Sequence, residues 1–117
     1  MEPRLQAGDY VFCLENPGTT LPAATIVMQF KEQEGTTLIV EKSVADKYNL
    51  AYTFIAAWIT LSVHSSLEAI GLTAAFSAAL AKEAIGCNVV AGFYHDHIFV
   101  PKNQAQQAMK ILKNLAE

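Results

Sequence analysis

The sequence predicts an α+β fold in which one mixed or antiparallel sheet is covered by helices. The first observation is size and composition: 117 residues, of which 52% are hydrophobic and 16% are charged, suffice for one hydrophobic core. The second is a series of short runs rich in β-branched and aromatic residues, which are typical of strands. The third is a pair of apolar patterns with helical spacing in the second half of the chain.

The N-terminal half contains three strand-like runs. The first is YVFCLE at residues 10–15, and the turn-forming residues NPGTTLP follow it. The runs ATIVMQFK and TTLIVEK flank EQEG, which fits a β-hairpin with a glycine in its turn. A short helix is predicted after this hairpin.

The C-terminal half has a clearer pattern. A strand buried on both faces is predicted at 54–63, and apolar residues then recur at helical spacing from Leu67 to Ala84. Two further strands, CNVVAGF and HIFVP, are joined by the short turn YHD. The segment NQAQQAMKILKNLAE then predicts an amphipathic helix, whose apolar stripe is Ala105, Ala108, Met109, Leu112 and Leu115.

The order strand, helix, strand, strand, helix is that of a ferredoxin-like unit that lacks its last strand. A split βαβ connection predicts that the strands at 58–63 and 97–101 lie side by side and parallel, with 88–93 outside them. The missing strand must come from the N-terminal half. We therefore expect a shortened half at residues 1–54 and a ferredoxin-like βαββα unit at 55–117, sharing one sheet.

One long string carries a family resemblance. WITLSVHSSLEAIGLTAAFSAALAKEAIGCNVVAGFYHDHIFV resembles the ACT-domain family, in particular small bacterial proteins with two ACT-like halves. It is also similar to the ACT pairs of cytosolic arginine sensors, and FKEQEGTTLIVEK resembles the N-terminal part of the bacterial proteins. The resemblance implies a regulatory module that binds a small ligand, commonly an amino acid, at an interface between units. We expect no enzyme activity and no cofactor.

The resemblance also implies where the ligand lies, between the loop after the first strand and the start of the second. The ligand-binding residues expected there are His64, Ser65, Ser66, Glu68, Gly71, Leu72, Cys87, Asn88, Val89 and Val90. The residues themselves leave two readings open. Ser65 and Glu68 fit a capping box of the following helix, and the remaining N–H groups of that helix suit a carboxylate. The sequence is consistent with two roles for these residues: capping alone, and capping together with ligand binding.

Metal and nucleophile chemistry are the alternatives that the histidines and cysteines raise. His95 and His97 are two residues apart and project from the same strand face, but two ligands are too few for zinc. The parallel arrangement puts His64 at the opposite end of the sheet, so one packed or hydrogen-bonded histidine in a hairpin is favoured. Cys87 with His64 and Ser65 would form a nucleophile only if an acid oriented the pair, and none is suitably placed. No catalytic and no metal site is predicted.

Charge and hydropathy indicate the partners. The net charge of −3 and the scattered basic residues do not favour nucleic acid. No run reaches the ~18 apolar residues of a membrane span, so we expect a cytoplasmic protein. The strand edge at 88–93 is apolar and carries no Lys or Pro, which predicts a homodimer through this edge. A protein-interaction module without a ligand is the alternative function, and an enzyme is less favoured.

Overall fold

The computed structural model describes residues 2–62 and 71–116. Its contacts divide the chain into two compact units, residues 8–56 and residues 1–7 together with 57–117. The strands and helices of the described residues are β1 (Glu2–Leu5), β2 (Tyr10–Leu14), β3 (Ile26–Lys31), β4 (Thr36–Glu41), α1 (Lys42–Lys47), β5 (Ile55–Ser62), α2 (Leu72–Lys82), β6 (Asn88–Ala91), β7 (Asp96–Pro101) and α3 (Ala105–Ala116). None of these helices is long and apolar enough to cross a membrane.

The unit at residues 8–56 is an antiparallel sheet with one short helix. β4 pairs with β3 on one side and with β2 on the other, which confirms the predicted hairpin. Apolar residues alternate along each strand, so they point to the same face of the sheet, and this face packs against α1. The buried cluster there is Val11, Cys13, Leu38, Val40, Ala45 and Leu50. Cys13 is thus a core residue.

The C-terminal unit takes its additional strand from the start of the chain. β1 pairs antiparallel with β5, with Glu2 opposite Ser62 and Leu5 opposite Ile59. β5 is next to β7, and β7 pairs antiparallel with the edge strand β6. The prediction that the N-terminal half donates a missing strand is therefore confirmed. α2 and α3 cover one face over a core of Ala57, Ile59, Leu61, Phe76, Leu80, Ile85, Ile98, Val100, Ala105, Ala108 and Leu112.

β5 and β7 run antiparallel, so the predicted parallel arrangement is wrong. Thr60, late in β5, has its Oγ1 3.1 Å from Nδ1 of His97, at the start of β7. Trp58, earlier in β5, stacks on Phe99, later in β7, with ring centroids 5.9 Å apart. Only strands of opposite direction bring both pairs together. In a split βαβ unit the two parallel strands are β5 and β6, and the hairpin inserts β7 between them.

The start of α2 also differs from its prediction. The helix begins at Leu72, and its N-cap residue Gly71 has φ 97, in the left-handed region. The first helical bond is donated by the N–H of Ala75 to the carbonyl oxygen of Gly71, at 2.9 Å. Gly71 lies within the helical pattern predicted from Leu67 to Ala84, but it is the N-cap of α2 and not an interior residue, because a left-handed residue ends helical geometry.

Candidate functional site

The residues expected to bind a ligand fall into three groups. Four of them, His64, Ser65, Ser66 and Glu68, lie outside the described residues. Gly71 and Leu72 lie at the N-terminal end of α2, whereas Cys87, Asn88, Val89 and Val90 follow its C-terminal end. A helix of 11 residues is about 16 Å long. A single C-terminal unit therefore does not bring the two described groups together.

The N-terminal end of α2 has the chemistry of an anion site. Gly71 has no side chain with which to cap the first-turn N–H groups, and no acidic residue lies in that turn. Among the described residues, none has an atom within 4 Å of a Cβ placed on Gly71. The first-turn N–H groups of a helix and the positive end of its dipole favour a carboxylate or phosphate.

The start of β6 offers a second set of contacts at the sheet edge. Asn88 lies opposite Phe99, and its Nδ2 donates to the carbonyl oxygen of Phe99 at 3.2 Å. Val89 is 37% exposed, while Val90 is half-buried opposite His97. The exposed amide of Asn88 and the edge of β6 are thus accessible to a ligand or to another chain.

Cys87, which precedes β6, is a free and half-buried thiol that packs against the core. Burial raises the pKa of this thiol. A raised pKa keeps the sulfur protonated at neutral pH, and the thiol is a much weaker nucleophile than the thiolate. The arrangement gives no support to a Cys87 nucleophile.

His95 and His97 lie beside the turn between β6 and β7. Because β5 and β7 are antiparallel, this turn is at the same end of the sheet as Ser62, where β5 ends. The argument that separated His64 from these two histidines depended on the parallel arrangement and no longer holds. Among residues 2–62 and 71–116, no cluster of three His, Cys, Asp or Glu could hold a metal ion.

A polar chain on the helix-free sheet face was missed by the sequence analysis. The indole Nε1–H of Trp58 donates to His97 Nδ1 at 3.0 Å, and Thr60 Oγ1 lies 3.1 Å from the same nitrogen. Gln6 Nε2 donates to Thr60 Oγ1 at 2.9 Å. Thr60 is only 3% exposed. The available signal was the alternation of Trp58 and Thr60 in β5, together with His97 in β7. It was missed because β5 was predicted only as a strand buried on both faces.

Burial shapes the titration of His97. It is the main cause that lowers the pKa of the imidazole, and the nearby His95 lowers it further, whereas Asp96 acts in the opposite direction. The ring of His97 is therefore neutral at pH 7. As predicted, one histidine of this hairpin is hydrogen-bonded in the fold, and it is His97.

A cavity in the unit at residues 8–56 was also not expected. Its volume is about 250 Å³, and its lining is Glu15, Asn16, Pro17, Thr19, Thr20, Leu21, Ile26, Gln29, Leu38 and Leu50. Asn16 shapes the loop above it, because its Oδ1 accepts from the N–H of Gly18 at 3.0 Å. The sequence identified this loop only as turn-forming residues, since a cavity between a loop and a sheet leaves no periodic pattern.

Comparison with known proteins identifies the family. Two models described as ACT domain match the chain, one at residues 1–57 and the other at residues 54–114. The chain therefore belongs to the ACT-domain family, which confirms the resemblance and the ferredoxin-like fold. ACT domains are typically regulatory modules that bind ligands, and this supports a regulatory role for the chain.

Solved structures agree with this assignment. A Vibrio cholerae protein of unknown function, described as a possible transport protein, is 48% identical, with TM-score 0.84, over 95% of this chain and 86% of its own. An Agrobacterium tumefaciens protein is 16% identical with TM-score 0.71, over 97% and 87% of the two chains. Aspartokinase III of E. coli, in complex with aspartate and ADP, shares the fold at 12% identity and TM-score 0.66, over 98% of this chain and 33% of its own. A search of curated proteins found no match.

Proposed function

We propose that this protein is a regulatory module that binds an amino acid or a similar small zwitterion. The observation that carries the proposal is the start of α2 at Gly71, which has no capping side chain, in a chain covered by two ACT-domain matches. The ligand carboxylate meets the N–H groups of the first helical turn, beside Gly71 and Leu72. The family resemblance adds His64, Ser65, Ser66 and Glu68 to the proposed ligand contacts, and these four residues lie outside the described part of the chain.

The second half of the site comes from another copy of the chain. Gly71 and Asn88 are separated by the length of α2, about 16 Å, which no single amino acid spans. Two copies that pair antiparallel through β6 place Asn88 of the partner subunit beside Ala91, where β6 ends. That is the end of the sheet at which α2 begins. A homodimer through the 88–93 edge thus completes a site from Gly71 and Leu72 of one copy and Cys87 to Val90 of the other.

Edge pairing is supported by the character of β6. Among the described strands it pairs only with β7, and Val89 on it is 37% exposed. An unpaired, apolar edge is a template for another strand. Ligand binding would then favour the paired state only by its differential affinity for that state.

A thermal-denaturation screen of the twenty amino acids and common metabolites tests the proposal. A ligand at 100 times its Kd adds about 2.7 kcal/mol to the free energy of unfolding, so the melting temperature rises by several degrees. For each amino acid that raises the melting temperature, the matched control is the corresponding amine that lacks the carboxylate. This amine should leave the melting temperature unchanged. Stabilisation by the amine equal to that by the amino acid would remove the carboxylate from the proposal.

A second function is favoured by the exposed aromatic residues of the β6–β7 turn. Phe93 is 81% exposed and Tyr94 is 77% exposed, with their rings in edge contact at 5.0 Å. Such residues are typical of surfaces that bind other proteins. A protein-interaction module without a ligand predicts that no compound in the screen raises the melting temperature while the dimer persists in light scattering.

We also propose that the protein is not an enzyme. The raised pKa of Cys87 leaves it without thiolate character, and the neutral His97 uses Nδ1 inside the fold. Labelling with iodoacetamide at pH 7.5 tests the first point. Cys87 should react more slowly than the same residue in the urea-unfolded chain, and faster reaction in the folded protein would reopen a catalytic role.

A further inference from the structure

His97 is the point where β5 is joined by side chains to the β6–β7 hairpin. An indole nitrogen only donates, so the bond from Trp58 requires that His97 Nδ1 carries no proton and acts as acceptor. The neutral ring then has its proton on Nε2. Thr60, whose oxygen already accepts from Gln6, has its own hydroxyl proton free for the same Nδ1. Two donors from β5 thus converge on one nitrogen of β7.

The other edge of the ring lies against the hairpin turn. A Cβ on Gly92 would be 3.3 Å from His97 Nε2 and 2.9 Å from the carbonyl oxygen of His95. The turn is closed by the N–H of Gly92, which donates to that carbonyl at 2.9 Å. The Nε2 edge of the His97 ring therefore lies beside the turn that carries the exposed Phe93 and Tyr94.

We propose that His97 is a pH-sensitive latch that holds the β6–β7 turn to β5 when its ring is neutral and releases the turn when its ring is protonated. Protonation places a hydrogen on Nδ1, so the imidazolium N–H points at the indole N–H of Trp58. The bond from Trp58 is lost, whereas Thr60 Oγ1 has a second lone pair and accepts from the new N–H. The ring tilts away from the indole towards Thr60, and the turn with Phe93 and Tyr94 loses its contact with the ring.

The charged groups around His97 set the direction of the effect. His95 is in ring contact at 6.3 Å and Asp96 precedes His97 in the chain. On β1, Arg4 lies opposite Thr60 and Glu2 lies opposite Ser62, so both are on the same sheet face as Thr60. Across from His97 on β6 is the apolar Val90.

The pH window follows from the lowered pKa of His97. The ordinary value is 6.5, and the folded value is below it, so the unfolded chain binds more protons as the pH falls from this value. The latch is closed at pH 7 and above. It opens as the pH falls through the folded pKa, and stability decreases over the same interval.

The single tryptophan of the chain reports the latch directly. We expect the emission of Trp58 to change in one titration step between pH 8 and pH 4.5, with a midpoint below 6.5 and unchanged far-UV circular dichroism. His97→Asn, which keeps an acceptor and cannot titrate, should abolish the step. His95→Asn should keep the step and move its midpoint upward, because the charge that opposes protonation is gone. A flat titration of the natural protein, or the same step in H97N, would overturn the proposal.

Hydrogen exchange tests the release of the turn. Corrected for the intrinsic rate, protection of the amides from Ala91 to Asp96 should fall about tenfold from pH 7 to pH 5 in the natural protein. In H97N the protection of these amides should be about the same at pH 7 and at pH 5. If H97N does not fold, the upward midpoint in H95N and a nitrogen-15 titration of the His97 ring carry the test. Protection that is equal at both pH values in the natural protein would refute the release.

Discussion

Gly71 and Thr60 each have a role that their residue type alone does not reveal. Gly71 takes φ 97 at the start of α2, in a region that costs a residue with a Cβ about 1–2 kcal/mol. Thr60 is 3% exposed and connects Gln6 with His97 through its hydroxyl. Burying a hydroxyl costs free energy unless it is hydrogen-bonded, so the buried Thr60 depends on its partners Gln6 and His97.

Replacing Gly71 by alanine tests the left-handed start of α2. We expect G71A to lower the free energy of unfolding by about 1 kcal/mol, because a left-handed φ strains a residue with a Cβ even though no atom of the described residues lies within 4 Å of it. Gly86→Ala is the matched control, since its Cβ is equally free and its φ is outside the left-handed region. Urea denaturation measures both. Equal stability of G71A and the natural protein would contradict a left-handed Gly71.

Replacing Thr60 by valine tests the polar chain. The shape is nearly kept, but Gln6 loses its acceptor, so T60V should lower the free energy of unfolding by about 1–3 kcal/mol. Thr53→Val is the control, because Thr53 is exposed, and its effect should stay within about 0.5 kcal/mol. If T60V left the free energy of unfolding unchanged, the hydrogen-bonded side chains of Gln6, Thr60 and His97 would add nothing to stability.

At the scale of elements, α3 shows how far hydrophobic periodicity leads. The stripe predicted at 105–115 is real, and Ala105, Ala108 and Leu112 are buried. Leu115 lies on the same stripe but is 42% exposed, because it comes near the end of the helix. Periodicity therefore predicts which face of a helix is buried, whereas the depth of burial depends on what lies opposite.

The two leucines make a direct comparison. Leu112→Ala should lower the free energy of unfolding by about 2–5 kcal/mol, since it leaves a cavity in the core beneath α3. Leu115→Ala, at a 42% exposed position of the same helix, should cost less than about 1 kcal/mol. Chemical denaturation of both variants gives the difference. Similar losses for the two would contradict the packing of α3.

Strand direction was less predictable than strand existence. Alternation and composition located β2 to β7, and the missing strand led to the N-terminal half, where β1 was found. The direction of β7 was predicted wrongly, because the split βαβ connection was applied to β5 and β7, whereas its parallel strands are β5 and β6. Apolar alternation is identical in either direction and gave no correction. The same error assigned Asn88 and the α2 loop to one end of the sheet. The start of α2 was predicted wrongly for another reason: a glycine that suits a left-handed cap looks in sequence like a weak helix residue.

At the scale of the whole molecule, the site proposed above depends on a second copy. The resemblance implies both described groups of residues, and the structure shows that the length of α2 lies between them. In the proposed dimer the site is divided between two copies, so ligand binding and association through β6 would be linked. Linkage of this kind makes the dimer tighter whenever the ligand is present.

Light scattering after size exclusion tests the edge. The natural protein at micromolar concentration should have about twice the chain mass of 12.7 kDa. Val89→Lys puts a charge on the β6 edge and should give the single-chain mass. Val27→Lys is a close control, because Val27 on β3 is 36% exposed and Val89 is 37% exposed. A dimer that persists in V89K but is lost in V27K would move the interface to β3.

Hydrogen exchange at the start of α2 tests the ligand site most directly. The compound that stabilises the protein most in the thermal screen is added at saturation, and exchange of the amides of Leu72, Thr73 and Ala74 is followed. We predict that these amides become protected, while those of Ala81 and Lys82 in the same helix change little. Protection confined to the cavity beside Glu15, or none anywhere in the chain, would contradict ligand binding at the start of α2.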